Sequence, residues 1–184
     1  MKAIETRFLR VSAPVLTGFA FLLLLFGAAE LARAAKGAGE PEVAPAGPGG
    51  ARSLSLAPDL SFTDDSSRNF PIRGDNLGDA RIASDRPTAI FFGTSHCWNT
   101  NREAERFVAV AGKMKDAVRF LVVDLDHASR DQKVLVSRFY RGYIPTLAIL
   151  DSSGKVTYNR SGETASRRGD FAGLEELLRK AGAP

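Results

Sequence analysis

The chain has 184 residues, a formal net charge of +4 and a globular composition, with 44% hydrophobic and 25% charged residues. Beyond residue 34 it carries 21 basic and 19 acidic residues. This balance, with no basic stripe containing interleaved aromatics, argues against a nucleic-acid partner. Its only cysteine, Cys97, excludes an internal disulfide. We therefore expect one folded domain, in which any thiol chemistry needs a sulfur or an oxidant from another molecule.

The N-terminus carries an apolar run of 19 residues without charge, Val11–Ala29, preceded by three basic residues. This pattern is typical of an export signal or an N-terminal membrane anchor. Residues 32–34 fit a cleavage site, but the run lies within the ~17–25 residues that span a bilayer as a helix. We predict a signal peptide or anchor over residues 1–34 and favour the uncleaved anchor. Both alternatives place the domain outside the cytoplasm, in the periplasm or at the cell surface.

A stretch of biased composition follows. Ala35–Pro58 contains 6 Ala, 5 Gly and 4 Pro among 24 residues, without apolar periodicity. Such a segment cannot bury enough surface to offset the entropy lost on ordering. We predict a flexible linker over residues 35–59 and a folded domain over residues 60–184, which is long enough for one core.

Within the domain, short apolar runs predict buried strands, and apolar residues at i, i+3, i+4 and i+7 spacing predict helices. The predicted strands are Thr88–Phe92, Val118–Val123, Thr146–Leu150 and Lys155–Arg160; the predicted helices are Asn76–Ser84, Asn101–Asp116, Ser129–Tyr140 and Asp170–Lys180. We expect an α/β domain with a central, mostly parallel sheet that ends in an antiparallel hairpin.

Cys97 lies where the first predicted strand meets a helix. If that helix begins at Trp98, Cys97 is close to its N-cap, where unpaired backbone N–H groups and the helix dipole favour a thiolate. Thr100 follows three residues later, one helical turn away, and its hydroxyl could donate a further hydrogen bond to that thiolate. The spacing therefore indicates an activated cysteine.

The order of elements, the Cys-x-x-Thr segment opening a helix and the segment Tyr140–Thr146 together resemble the thioredoxin-like superfamily over roughly residues 60–182. The resemblance implies a thioredoxin-like fold, with a central mixed sheet flanked by helices and, here, a preceding signal or anchor helix. It implies that Cys97 is the nucleophile and that Pro145 is a cis-proline beside it. It also implies that the backbone of Ile144 pairs with an extended substrate segment.

The departures from the family pattern concern the reaction. Thr100 stands at the position of the resolving cysteine, and Phe91 stands at the position of a buried aspartate that assists proton transfer. His96 replaces the usual tryptophan, and Trp98 begins the pair that replaces Gly-Pro. A dithiol reductase needs its second thiol to release a mixed disulfide, so the ordinary thioredoxin cycle is excluded. One thiolate still supports exchange when an outside thiol resolves the intermediate.

We therefore predict monothiol thiol–disulfide exchange, of oxidoreductase or isomerase type, with exported proteins or small thiols as partners. Membrane contact would come through the N-terminal segment, and no cofactor, metal or nucleic acid is expected. The predicted catalytic residues are Cys97 and Thr100, and the predicted substrate-binding residues are His96, Trp98, Ile144 and Pro145.

Three alternatives remain open at this stage. Cys97 can be an inert thiol in a non-catalytic module that binds extended peptide segments. It can also be a peroxide or thiol sensor that reaches sulfenic acid and pairs with a partner's cysteine. A soft-metal site formed by His96, Cys97 and His127 is conceivable, but no ligand spacing supports it.

Overall fold

The computed structural model describes residues 53–183. The predicted signal or anchor over residues 1–34, and the predicted linker up to residue 52, lie outside the described residues. Across residues 53–183, no helix combines the length and apolar character needed to cross a bilayer.

The described part of the chain forms six strands and three helices. The strands are β1 Leu54–Leu56, β2 Ile72–Gly74, β3 Thr88–Gly93, β4 Arg119–Asp124, β5 Thr146–Leu150 and β6 Val156–Ser161; the helices are α1 Trp98–Met114, α2 Gln132–Phe139 and α3 Phe171–Ala181. From β3 onward, every element predicted from the sequence is present within a few residues of its predicted ends.

Four of the strands form one sheet in the order β4-β3-β5-β6. Strands β3 and β4 are parallel, whereas β3–β5 and β5–β6 are antiparallel. The sheet is therefore mixed, and the expectation of a mostly parallel sheet was wrong. The reason is the path of the chain after β4, which returns through α2 to the edge that β4 has just reached. Strand β5 must then run in the opposite direction to β3.

The sheet separates two apolar layers, and β3 contributes to both. Its residues Ala89 and Phe91 pack with α1 and α3. Ile90 and Phe92 pack with α2 on the other face. Every residue of β3 is buried, as a continuous apolar run in a central strand predicts.

The predicted helix over Asn76–Ser84 is absent; this segment is a turn followed by irregular backbone. It lies beside the edge strand β4, where the buried side chain of Gln132 donates to the carbonyl oxygens of Leu77 at 2.6 Å and Val122 at 2.9 Å. Asp79 forms an ion pair with Arg119 of β4. Because these tertiary contacts shield an exposed sheet edge, they override a weak local preference for helix.

The domain begins earlier than its composition indicates. Strand β1, which lies inside the predicted linker, pairs antiparallel with β2, and Ala57 next to it is 5% exposed. The predicted boundary at residue 60 therefore falls inside the packed domain. The alternating Leu-Ser-Leu pattern of β1 is only three residues long. The surrounding Ala, Gly and Pro residues dominate the local composition, so the sequence indicated a linker there.

Candidate functional site

The strand registers bring several loops to one edge of the sheet. At that edge, Phe92 of β3 pairs with Thr146 of β5. Gly93 pairs with Asp124, the last residue of β4, and Thr146 pairs with Ser161. The segments that follow β3 and β4 and the segment that precedes β5 consequently emerge side by side. Cys97 follows β3, and Pro145 immediately precedes β5, so both predicted residues belong to this edge.

Cys97 is the N-cap residue of α1, as predicted, with an extended backbone at φ −146° and ψ 107°. Its carbonyl oxygen accepts the first helical hydrogen bond, from the backbone N–H of Asn101 at 3.1 Å. The thiol is free and half-buried. Its sulfur accepts no capping hydrogen bond from the helix, which differs from the expected arrangement.

A carboxylate from another part of the chain supplies that cap. The backbone N–H of Trp98, the first residue of α1, donates to Asp65 Oδ1 at 2.9 Å. Asp65 belongs to residues 59–70, a segment between β1 and β2 that we call the strap. The sequence analysis missed this contact because 33 residues separate the partners and no local motif joins them.

Side chains of α1 fasten the strap. Asn101 Nδ2 donates to Ser61 O at 2.7 Å and to Ser67 Oγ at 2.8 Å. Arg102 Nε donates to Phe62 O at 2.7 Å, while its guanidinium lies 4.1 Å from the centre of the Trp98 ring. Asn101 is fully buried. The sequence offered one indication of this contact: an amide side chain, Asn101, in the first turn of a helix and close to residues of the core.

Thr100 is also fully buried, and its Oγ1 has no hydrogen-bond partner in the described structure. It occupies the N3 position of α1. Its methyl group packs towards Gly93, where an added Cβ would clash with it. The threonine methyl therefore fills the space between the first turn of α1 and the end of β3, while its hydroxyl has no hydrogen-bond partner in the described structure.

Phe91 places an apolar ring at the position where the thioredoxin-like pattern has a buried carboxylate. Phe91 is 0% exposed, with its ring centre 5.4 Å from that of Phe107 and 6.4 Å from that of Phe70. This position therefore has no side chain that could accept a proton.

On the other side of the site, the Ile144–Pro145 peptide bond is cis, as the resemblance implied. Pro145 O accepts a hydrogen bond from the N–H of Gly162 at 2.7 Å, and Gly162 has φ +78°, which favours glycine. Pro145 is buried, Ile144 is half-buried and the neighbouring Tyr143 is 72% exposed. This proline lies directly before an antiparallel hairpin. From β3 onward, the elements of the domain follow in the order β-α-β-α-β-β-α. The described domain has a thioredoxin-like fold.

Comparison with solved structures finds likenesses to proteins of this fold. A thioredoxin-fold protein from Helicobacter pylori is 16% identical, covering 58% of this chain and 82% of its own, with a TM-score of 0.45. A thioredoxin-like protein from Clostridium perfringens is 21% identical, covering 58% and 78%, with a TM-score of 0.44. Thioredoxin from Trypanosoma brucei brucei is 22% identical, covering 54% and 77%, with a TM-score of 0.41. No protein-family model and no curated protein sequence matches the chain.

His96 and His127 are both exposed. His127 Nδ1 lies 2.9 Å from Asp124 Oδ2, and this hydrogen bond, with the charge of Asp124, raises the pKa of His127. The nearby Asp126 carboxylate accepts hydrogen bonds from Ser95 N at 3.3 Å and Ser95 Oγ at 3.4 Å. Within residues 53–183, no group of three or more His, Cys, Asp or Glu side chains could hold a metal ion.

Proposed function

We propose that this domain carries out monothiol thiol–disulfide exchange through Cys97. The observation that carries the proposal is the meeting of a free, half-buried thiol at a helix N-cap with the cis Ile144–Pro145 segment at one sheet edge. Partial exposure gives a disulfide access to the sulfur, and Ile144 is half-buried, so an extended chain could reach its backbone.

The reaction needs one proton transfer and two exchanges. The Cys97 thiol loses its proton to solvent, and the thiolate attacks one sulfur of a partner's disulfide, so that a mixed disulfide forms and the other partner sulfur leaves as a thiolate. An outside thiolate then attacks the partner sulfur of the mixed disulfide. This restores the Cys97 thiolate and forms a disulfide between the partner and the outside thiol. The second attack replaces the missing resolving cysteine.

Thr100 would assist by donating its unpartnered hydroxyl to the thiolate. His96 and Trp98 would border the bound segment on the helix side, and Ile144 and Pro145 on the hairpin side. The partners would be exported proteins or small thiols, with the domain held outside the cytoplasm by an N-terminal anchor. Membrane fractionation and N-terminal sequencing test the last point, since the anchor requires an intact N-terminus in the membrane fraction and cleavage predicts one at Ala35.

The exchange is tested by incubating the protein with oxidised glutathione and following the mixed disulfide by intact mass. We expect one glutathionyl group per chain and none on the Cys97→Ser variant. The matched pair Thr100→Val and Thr100→Ser separates hydroxyl from volume, since only Val loses the donor. We expect slower adduct formation for Val than for Ser. Absence of any Cys97-dependent adduct, in wild-type protein that is folded and reduced, would exclude the exchange.

A second function is a non-catalytic module that binds extended peptide segments. Two observations favour it, namely Phe91 in place of a proton acceptor and the carboxylate of Asp65 on the helix N-terminus. This function predicts that Cys97→Ser retains full affinity for a partner segment, whereas Trp98→Ala weakens it. Loss of binding in Cys97→Ser together with loss of the adduct favours exchange instead.

A further inference from the structure

We propose that Arg102 determines which segments the site accepts: its guanidinium binds a carboxylate of an extended protein segment, two or three residues from the cysteine that Cys97 attacks. The proposal rests on the proposed exchange function, because it names the class of segment that the same site takes. Arg102 lies in the second turn of α1 and was not among the site residues predicted from the sequence.

The first step of the argument is that the guanidinium of Arg102 is held in one place. Its Nε donates to Phe62 O on the strap at 2.7 Å, and its central carbon lies 4.1 Å from the centre of the Trp98 ring. A planar guanidinium that is fixed by a hydrogen bond and by an aromatic face keeps its orientation. A ligand therefore binds it without the entropic cost of ordering a flexible side chain.

The second step is that the remaining edge of this guanidinium is open. Within residues 53–183, neither terminal nitrogen of Arg102 has a hydrogen-bond partner, and neither is buried. By contrast, Arg106 on the next turn of α1 forms an ion pair with the buried Glu103. The N–H groups of a free guanidinium edge match the two oxygens of a carboxylate. Arg102 is therefore an oriented cation that lacks its anion.

The third step concerns the charges around Arg102. Glu163, in the loop after β6, is occupied by Arg168, whose Nε and Nη2 donate to its two oxygens at 3.0 and 3.1 Å. These hydrogen bonds are the main cause that lowers the pKa of Glu163; the charges of Arg168, Arg102 and Arg167 add to it, against the opposing effect of burial. Three guanidinium groups thus act on one carboxylate, which leaves a positive excess. Asp65 bonds to the backbone at the start of α1 rather than to Arg102.

The fourth step is the distance along the helix from Cys97 to Arg102. Five residues of an α-helix rise by about 7.5 Å. An extended chain rises by about 3.3 Å per residue, so this span equals two to three of its residues. The Trp98 ring beside the guanidinium belongs to the residue directly after Cys97. A partner cysteine at the Cys97 sulfur would therefore bring side chains two or three residues away within reach of Arg102.

The test uses two peptide disulfides of equal net charge. In the near peptide, glutamates lie two and three residues from a single cysteine on both sides; in the far peptide, the same glutamates lie six and seven residues away. Each peptide is supplied as its disulfide-linked dimer, and adduct formation on Cys97 is followed by intact mass. Equal total charge makes general attraction to a basic protein the same for both. We expect the near peptide to react about fivefold faster, which corresponds to about 1 kcal/mol, the upper end for an exposed ion pair.

Two matched variants assign this preference to one residue. Arg102→Gln places an amide nitrogen at the position of Nε, where it can still donate to Phe62 O, but the positive charge is lost. Arg138→Gln removes an equal charge on α2, across the sheet from α1, where the guanidinium lies 5.0 Å from the centre of the Phe139 ring. The preference for the near peptide should disappear in the first variant and persist in the second. Equal rates for both peptides with wild-type protein, or an unchanged preference in Arg102→Gln, would overturn the proposal.

A binding measurement separates this proposal from the exchange function. Trp98 is the only tryptophan of the chain, so its fluorescence reports on a ligand at the Arg102 guanidinium. In Cys97→Ser, the near peptide with serine in place of its cysteine should produce a saturable change, which added Arg102→Gln abolishes and added Arg138→Gln retains. This change without any adduct on wild-type protein would support the role of Arg102 and exclude exchange. Adducts formed without a preference would support exchange and overturn the role of Arg102.

Discussion

The N-termini of α1 and α3 meet the same physical requirement in two different ways. Each helix begins with backbone N–H groups that have no partner within the helix. In α3 the N-cap residue Asp170 accepts the N–H of Gly173 at 2.8 Å, three residues away. In α1 the N-cap residue is Cys97, and the acceptor is Asp65 on the strap. The acceptor for α3 is therefore its own N-cap residue, whereas the acceptor for α1 comes from a distant segment and its N-cap residue carries a thiol.

The first turns of the two helices differ in the same sense. In α1 the buried side chains of Thr100 and Asn101 both carry an oxygen without a hydrogen-bond partner, within the part of the chain described. In the first turn of α3 the buried residue is the apolar Leu174. Unpartnered polar atoms reduce stability, so the first turn of α1 is less favourable for folding than that of α3.

The largest expected effect comes from Gly93→Ala, beneath the first turn of α1. A Cβ at this position would lie 2.9 Å from Phe91 Cε1 and closer still to Thr100 Cγ2. Overpacking of this kind costs about 1–3 kcal/mol of unfolding free energy. The control is Gly112→Ala, within α1. An added Cβ there meets nothing and should raise the unfolding free energy by up to about 1 kcal/mol. Thermal and urea unfolding of both variants measures the contrast, and equal stabilities would contradict a tightly packed α1 start.

The local cap of α3 should carry the next largest effect. Asp170→Ala removes the acceptor for Gly173 N and should lower the unfolding free energy by about 1 kcal/mol. Asp170→Ser keeps a capping oxygen and should lose only a few tenths of that value. Urea unfolding of the two variants side by side decides the point. A serine variant as unstable as the alanine variant would show that the cap is not what Asp170 contributes.

The distant cap of α1 should contribute less to stability. For Asp65→Ala we expect a loss of about 0.5 kcal/mol, because water can reach this exposed helix end and Asn101 still holds the strap. The measurement is the same unfolding experiment, so that Asp65→Ala and Asp170→Ala are compared directly. A loss for Asp65→Ala that exceeds the loss for Asp170→Ala would contradict the expectation that the local cap contributes more to stability.

The smallest effect concerns Asp124 and His127, which have the i, i+3 spacing of the α3 cap but lie in an exposed turn. Asp124 raises the pKa of His127, first through the hydrogen bond and then through its charge. A raised folded-state pKa means that the pair stabilises the fold below pH ~6.5 and loses this contribution as pH rises through the folded value. With His127 80% exposed, the change in stability should be slight.

The direct readout is the NMR titration of the His127 ring. Asp124→Asn keeps an oxygen for the backbone N–H of Asp126, which Asp124 Oδ1 accepts at 3.0 Å, but loses the charge. The titration midpoint of His127 should fall towards the ordinary value. An unchanged midpoint would mean that the pair does not persist in solution.

Sequence reasoning succeeded where a short stretch of chain contained the whole cause. The apolar run of β3, the helix α1 and the strands β5 and β6 follow from patterns of neighbouring residues. It failed at Asn76–Ser84 and at β1, where contacts with Gln132 and with β2 determine the conformation. At the site, the N-cap position of Cys97 was predictable, but the absence of a hydrogen bond to its sulfur was not.

The sequence by itself determined the order of elements, the position of the thiol between a strand and a helix, and the lack of a second cysteine, because these are properties of adjacent residues. Only the tertiary structure decided which charge occupies the N-terminus of α1. That choice depends on the strap reaching α1 from 33 residues away, held there by Asn101 and Arg102. Electrostatic effects on a sulfur follow distance in space rather than distance along the chain, and so the environment of Cys97 could not be obtained from its neighbours in sequence.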